Sequence, residues 1–325
     1  MKLNETVSYF IMKGLSYDPK LQAPIFVLVL IIYLIVLLGN MGLLLLICLD
    51  PHLHTPMYFF LGNLSIVDMM SCTITLHRTL QMFITGDNKV PYLTYLVELY
   101  LFEAVIALEV LVLTAMSYDR YVAICRPLNY QTIMSYKICQ LLASFCWIFS
   151  FLHYIPQISV AFKISCFTTN VIDHFFCDLV PFMEIICPHS LKMLRLLTNT
   201  EGLLVYNIIP FSLTVTSYIF IIRAIMKIRT SIGRRKAFYT CSSHLIVNTL
   251  LYTAFILQYY IPSNIVGSKK LFSLFNTVIL SLLNPFLYSL RNEDIKIAFK
   301  RRIGKLKSNT FCHIVANVIG MRKEI

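Results

Sequence analysis

Acidic side chains set inside apolar stretches are the groups in this sequence whose type and position could do chemistry. Asp68 lies within the apolar run Met57–Leu76, and Glu98, Glu103 and Glu109 lie within Tyr92–Tyr118. An ionised acid in hydrocarbon is unfavourable, so such residues mark function by default. At 1.5 Å of rise per helical residue, Glu109 stands about 16 Å and Glu103 about 25 Å along the axis from Arg120. Asp68 counted from the other end of its run, and Asn40 counted back from Leu49, reach nearly the depth of Glu109. Two carboxylates at one level can share a proton or hold a monovalent cation such as sodium; protonated, they can simply join helices. Glu103 has two readings: it selects ligands bearing an amine or strong donor, or it pairs with Lys269 or Lys270. Arg120 beside Asp119 offers a fixed charge and planar donors that can hold a carboxylate and later a partner, or it anchors a helix end. Nothing here has the pattern of a catalytic centre, and His52 and His54 lack a third ligand nearby, so no metal site of that kind is expected.

The elements that position these groups follow from composition. The 325 residues are 58% hydrophobic and 14% charged, with mean hydropathy +0.72. Soluble domains carry about 25% charged residues, so a water-soluble enzyme is excluded. A helix needs about 20 largely apolar residues to cross the bilayer. Seven segments qualify: Ala23–Leu49, Met57–Leu76, Tyr92–Tyr118, Ile138–Phe162, Leu203–Ile222, Ala237–Pro262 and Leu271–Leu290. Their continuous apolar runs favour helices over a β-barrel. The expected fold is an all-α membrane protein, a seven-transmembrane helix bundle over 23–290, between an extracellular segment 1–22 and a cytoplasmic segment 291–325.

Lys and Arg set the orientation. With the N-terminus outside, the cytoplasmic segments hold 18 of the 28 basic residues and the inner face carries a net +13. That charge faces anionic lipid and is not a nucleic-acid footprint. Arg223, Lys227, Arg229, Arg234, Arg235 and Lys236 flank the fifth and sixth spans, where a protein partner or lipid headgroups would meet them. Ile295, Phe299, Ile303 and Leu306 oppose Lys296, Lys300, Arg301 and Lys305, the pattern of a short amphipathic helix on the inner membrane surface. No cleavable signal peptide is visible, and Asn4-Glu5-Thr6 is a glycosylation acceptor on the outer side.

Several local patterns coincide at the span ends. Leu53-His54-Thr55-Pro56-Met57-Tyr58-Phe59-Phe60-Leu61 opens the second span, and Met116-Ser117-Tyr118-Asp119-Arg120-Tyr121 ends the third. Ser217-Tyr218 closes the fifth, Lys236-Ala237-Phe238-Tyr239-Thr240-Cys241-Ser242-Ser243-His244 opens the sixth, and Asn284-Pro285-Phe286-Leu287-Tyr288 ends the seventh. Over roughly residues 23–303 this resembles an olfactory receptor of the rhodopsin-like G-protein-coupled class. The resemblance implies a plasma-membrane protein of sensory cilia that binds a small odorant in its outer half. It also implies coupling on the inner face to a stimulatory olfactory heterotrimeric G protein that raises cyclic AMP. The ligand-contacting faces it implies are Phe102, Glu103, Ile106, Ala107 and Val110; Gly202, Leu203, Tyr206 and Asn207; and Tyr252, Phe255, Ile256 and Tyr259. Asp119, Arg120, Tyr121, Tyr218, Lys236, Asn284, Pro285 and Tyr288 become the switch, and Asn40, Asp68 and Glu109 an ion pocket that a sodium ion would enter.

Two departures qualify the resemblance. The family's usual cysteine, 25 residues before Arg120, is replaced by Tyr95, which leaves its usual partner Cys177 as an unpaired thiol while Cys166 and Cys187 pair as the second loop bridge. A lost crosslink typically removes about 2–4 kcal/mol, so a looser outer lid and poor surface expression are expected, with a signalling-impaired receptor as the alternative reading. His77-Arg78 stands where Pro-Lys is usual. A transporter or channel is the rival class, but the repeated halves and paired broken helices it requires are not found. A retinal protein would need a lysine within Leu271–Leu290, which has none.

Overall fold

The structure, a computed structural model, describes residues 7–15, 19–198, 207–257 and 269–302. The first three spans are single helices: α1 (Pro19–Leu49), α2 (Pro56–Thr85) and α3 (Tyr92–Cys125). The fourth follows a one-turn helix α4 (Tyr130–Ile133) and breaks at Tyr154 into α5 (Tyr136–His153) and α6 (Ile155–Phe162). Pro156 sits in the first turn of α6, and a proline lacks the amide that would continue the α5 ladder. After α7 (Leu179–Ile185) and α8 (Pro188–Leu197) of the outer loop come α9 (Ile209–Met226), the described part of the fifth span, and α10 (Ser231–Phe255), the sixth. The seventh comprises α11 (Lys269–Leu274), a π-helical turn Phe275–Ile279 and α12 (Leu280–Arg291). A last helix, α13, covers 293–302.

Burial separates these helices by role. The apolar stretch of α1 is 11% buried against 61% for α2, so α1 faces lipid at the periphery. α3 is the central strut, packed against α2, α5 and α9, and that position takes its acidic residues inward. α2 stops at Gly86, whose positive φ of 69° gives the left-handed cap that a glycine adopts without strain. α1 meets α12 where Gly39 faces the Pro285 ring; a Cβ there would be in ordinary contact with the ring at 3.4 Å.

Within the outer segment the N-terminal residues form a strand. β1 (Tyr9–Met12) pairs antiparallel with β2 (Lys89–Pro91) and parallel with β3 (Val171–Ile172), in the order β2-β1-β3. Beneath this sheet Phe10 packs edge-on against Tyr95, Phe167 and Phe182. Tyr95 is fully buried, stacks on Phe182 and donates a 2.9 Å hydrogen bond to the Asp178 carbonyl.

An aromatic plug and a hydrogen bond occupy the place of the missing crosslink. Cys166 and Cys187 form a disulfide, while Cys177 is a free, buried thiol. Its Sγ donates to Glu98 Oε2 at 3.0 Å, and Glu98 in turn accepts from Arg78. Burial, reinforced by the Glu98 carboxylate, pushes the Cys177 thiol well up, which keeps it a donor. Arg78, the second departure, is thus what balances Glu98, and it also donates to Gln81 Oε1 at 3.0 Å. Lys270 is engaged by Asp173 at 2.7 Å and the Gly14 carbonyl at 3.1 Å, which ties the seventh span to the N-terminal segment rather than to Glu103.

At the inner end α13 is clamped as well as amphipathic. Tyr58 donates to Asn292 Oδ1 and Asp294 Oδ2, and Arg301 donates to both oxygens of buried Asp50 at 3.0 Å. Ile295 is buried in the core while Phe299 is exposed on the side where lipid would lie. Ile303, Lys305 and Leu306 lie outside the described residues, as does Asn4.

Truncating a fully buried large aromatic removes about 3–5 kcal/mol. Tyr95→Ala is expected to lower the melting temperature and surface level sharply, whereas Tyr95→Phe, losing only one hydrogen bond, gives up about 1 kcal/mol. Fluorescence-detected thermal melts and surface labelling read both. The outer loop also predicts a pH effect. His174 is buried beside Phe175, with Asp178 at 3.9 Å and Asp173 and Lys270 nearby; burial depresses its pKa below the ordinary 6.5. The unfolded chain then binds more protons below about 6.5, so stability complete at pH 7.5 falls on acidification toward the folded-state value. Melting temperature should drop between pH 7.5 and 5.5, and His174→Gln should flatten that slope.

Candidate functional site

The expected ligand face divides in two. Phe102 meets Phe176 edge-on at 4.7 Å, and both belong with Ile106, Val110, Tyr252 and Phe255 to the outer part of one buried apolar core that runs on to Tyr58, Val122 and Ile295 at the inner end. Tyr252 is further packed by Phe211 of α9 at 5.0 Å. Glu103 and Ala107 lie on the neighbouring side of α3, toward the fourth span. Ala107 packs with Ala104 and Tyr154. Glu103 lines a cavity of about 20 Å³ with Tyr154, Gln157 and Leu179, hydrogen bonds to Tyr154, and leaves Oε1 without a hydrogen-bond partner. That volume holds about one water. Ile256 is 49% exposed and stands apart from both groups. Asn207 is described and half-buried; Gly202, Leu203, Tyr206 and Tyr259 lie outside the described residues.

The outer loop contributes residues that the sequence reading did not assign. His174, Phe175 and Phe176 are buried against the top of the apolar cluster, and Thr79 donates to the Phe175 carbonyl at 3.1 Å. The three consecutive rings His174-Phe175-Phe176 are the available signal.

At mid-bundle the expected ion-pocket residues do come together. Asn284 donates through Nδ2 to both oxygens of Asp68 at 3.0 and 3.1 Å, and Ser281 hydrogen bonds to the same carboxylate. Glu109 is within electrostatic reach of Asp68, and Asn40 donates to the Ser281 carbonyl at 3.2 Å. Four buried oxygens here have no hydrogen-bond partner: Asn40 Oδ1, Ser71 Oγ, Glu109 Oε1 and Asn284 Oδ1. A buried polar atom normally finds a partner, so this oxygen-rich centre has the donor set that a small hard cation takes.

At the inner end Asp119 is buried, 3.4 Å from the Arg120 guanidinium, and accepts a 2.8 Å hydrogen bond from Tyr130. Tyr121 rests against Phe220 and a cluster that includes Tyr218, Ile221 and Cys241. The Tyr218 hydroxyl lies 2.7 Å from His244 Nδ1, and Asn248 donates to the His244 carbonyl at 2.9 Å. His244, buried beside Tyr218, belongs to the same network. Pro285 packs on Gly39, while the side chains of Lys236 and Tyr288 lie outside the described residues.

With this geometry in view, comparison with known proteins is specific. A family model described as olfactory receptor matches residues 29–305. Human olfactory receptor 5B12 is 39% identical over 95% of this chain and 98% of its own length. Mouse olfactory receptor 8U3 is 38% identical over 92% of this chain and 94% of its own, and mouse olfactory receptor 5AR1 is 39% identical over 93% and 97%. A seven-span bundle with a buried outer apolar cluster, a polar centre and a basic inner rim, matched along nearly its full length, belongs to the olfactory receptor family, the multi-pass odorant-binding receptors of the G-protein-coupled class.

Proposed function

We propose that this receptor binds small, largely apolar organic ligands at the Phe102, Ile106, Val110, Tyr252 and Phe255 cluster. On this reading it activates a stimulatory olfactory-type G protein that raises cyclic AMP in sensory cilia. The observation that carries the reading is the continuity of α10. Tyr252 and Phe255 belong to the outer cluster, Val247, Asn248 and Leu251 are buried between, and His244 and Cys241 meet Tyr218 at the inner end. One rigid helix touches both the ligand region and the Asp119–Arg120 pair's neighbours, so a ligand that favours one seating of α10 biases both ends. Arg120, released from Asp119, supplies planar donors to a partner, and the basic side chains Arg223, Lys227, Arg229, Arg234 and Arg235 surround that opening. A ligand donor that reached the water-sized cavity beside Glu103, next to the main cluster, would meet its unpartnered oxygen. The lid secured through Tyr95 and Glu98 supports a signalling receptor over an impaired one.

A sodium ion fits the mid-bundle oxygens. Asp68 and Glu109 would supply charge and Asn40, Ser71 and Asn284 neutral oxygens, and the ion would neutralise two acids that share one buried centre. Asn40, Asn284 and Ser281 otherwise hold the first, second and seventh spans in one arrangement around Asp68.

A cyclic-AMP assay of the expressed receptor across a chemical panel should show a ligand-dependent rise, and Arg120→Ala should abolish it at unchanged surface level. Ligand-independent solute flux without any cyclic-AMP response would overturn the receptor reading. Exchanging sodium for a large organic cation should shift ligand potency and melting temperature in the wild type. Glu109→Gln should remove most of that sodium dependence while leaving the fold intact; an unchanged dependence would rule out this ion site.

A further inference from the structure

A cavity of about 200 Å³ opens on the outer side of the bundle, between the chain that follows β1, the start of α1 and the end of α2. None of the residues assigned above to odorant or G protein lines it. We infer that it is a second ligand site, for a short-chain organic carboxylate whose charge meets Lys13 and whose hydrocarbon tail lies on Leu15, Met82 and Phe83.

The backbone leaves room there. Gly14 and Gly86 both line the cavity at positive φ, 71° and 69°, and a Cβ on either would meet nothing within 4 Å. The walls then sort the ligand by charge and polarity. Lys13 supplies a cation, and among the described residues no acid lines the cavity. Asp173 accepts from Lys270 at 2.7 Å and also feels Lys13, so two ammonium groups stand by one carboxylate and positive charge is in surplus. Asp87, next to the rim, is turned to the Lys89 amide at 2.9 Å. Gln22 and Asn88 are exposed at the rim and carry amide donors for a second carboxylate oxygen. Met82 is buried and Leu15 and Phe83 are half-buried, an apolar wall that a small inorganic anion would leave uncovered. Pockets for drug-sized ligands run to about 300–1,000 Å³, so this one selects a smaller acid, held by a charge-assisted contact to the ammonium. Thr79, 1% exposed, closes the inner wall and donates to the Phe175 carbonyl at 3.1 Å. Phe175 packs on the apolar core under the lid, so an acid bound beside Thr79 shifts odorant potency. That coupling rests on the receptor reading, whereas the binding does not.

The test titrates the full-length receptor in nanodiscs with hexanoate and, separately, with hexanol. Thermal melts and saturation-transfer NMR of the ligand, corrected against empty nanodiscs, read binding without any signalling step. Hexanoate is expected to bind at roughly millimolar concentration, as a ligand this small would, and hexanol about tenfold more weakly, a difference of about 1.4 kcal/mol. Lys13→Gln should weaken hexanoate to the level of hexanol, Lys13→Arg should restore it, and Gln22→Trp should block it by bulk. Without ligand, all three should melt as the wild type does. Phe102→Leu, in the odorant cluster, should leave hexanoate binding unchanged. Three results would each overturn the proposal: equal binding of acid and alcohol, undiminished hexanoate binding in both Lys13→Gln and Gln22→Trp, or loss of binding in Phe102→Leu, which would put the acid in the odorant cluster instead.

Discussion

Lipid offers no hydrogen-bond partner, and that constraint dictates how α3 sits. Its three glutamates and Asp119 have to find company inside the protein, so the helix that carries them becomes the central one. Each acid then meets a different answer. Glu98 is matched by Arg78 and a thiol, Glu103 by Tyr154, Glu109 by the shared centre around Asp68, and Asp119 by Arg120 and Tyr130. Four ring-like levels result along one helix, from the lid to the inner rim. The peripheral helices can be as apolar as α1 because this one bears the polar groups.

The outer level shows how a crosslink can be replaced by packing. Tyr95 brings an aromatic body that packs on Phe10 and Phe182, themselves backed by Phe167, and a hydroxyl that reaches the loop backbone. Arg78 and Glu98 convert the leftover Cys177 from a liability into a hydrogen-bond donor. The two residues that look like defects when read singly are complementary, one filling space and the other balancing charge.

Much of this architecture was legible in the residue order. Hydrocarbon thickness and basic loops give the spans and their direction, and helical rise alone places Asp68, Glu109 and Asn40 at one depth. The inner motifs are short-range patterns at helix ends and read directly. What escaped depends on partners far apart in the chain. The strand at Tyr9–Met12 has no regular alternation long enough to announce it, and it exists because β2 and β3 flank it. The division of Glu103 and Ala107 from Ile106 and Val110 depends on where α6 packs after the Tyr154 break, which spacing on α3 cannot reveal. The seating of Phe175 and Phe176 likewise depends on a loop path that local pattern does not encode.

The small sheet has a bearing on biogenesis. β1 reaches the exterior first, yet both strands that embrace it are made later, the last of them about halfway along the polypeptide. During synthesis the leading segment can pair with Lys89–Pro91 well before Val171 and Ile172 have been threaded outward, so the cap is completed only when that last strand arrives. Such long-range pairing is slow compared with helix formation. Quality control in the secretory pathway would thus encounter a receptor whose helices are already inserted but whose exterior seam is still open.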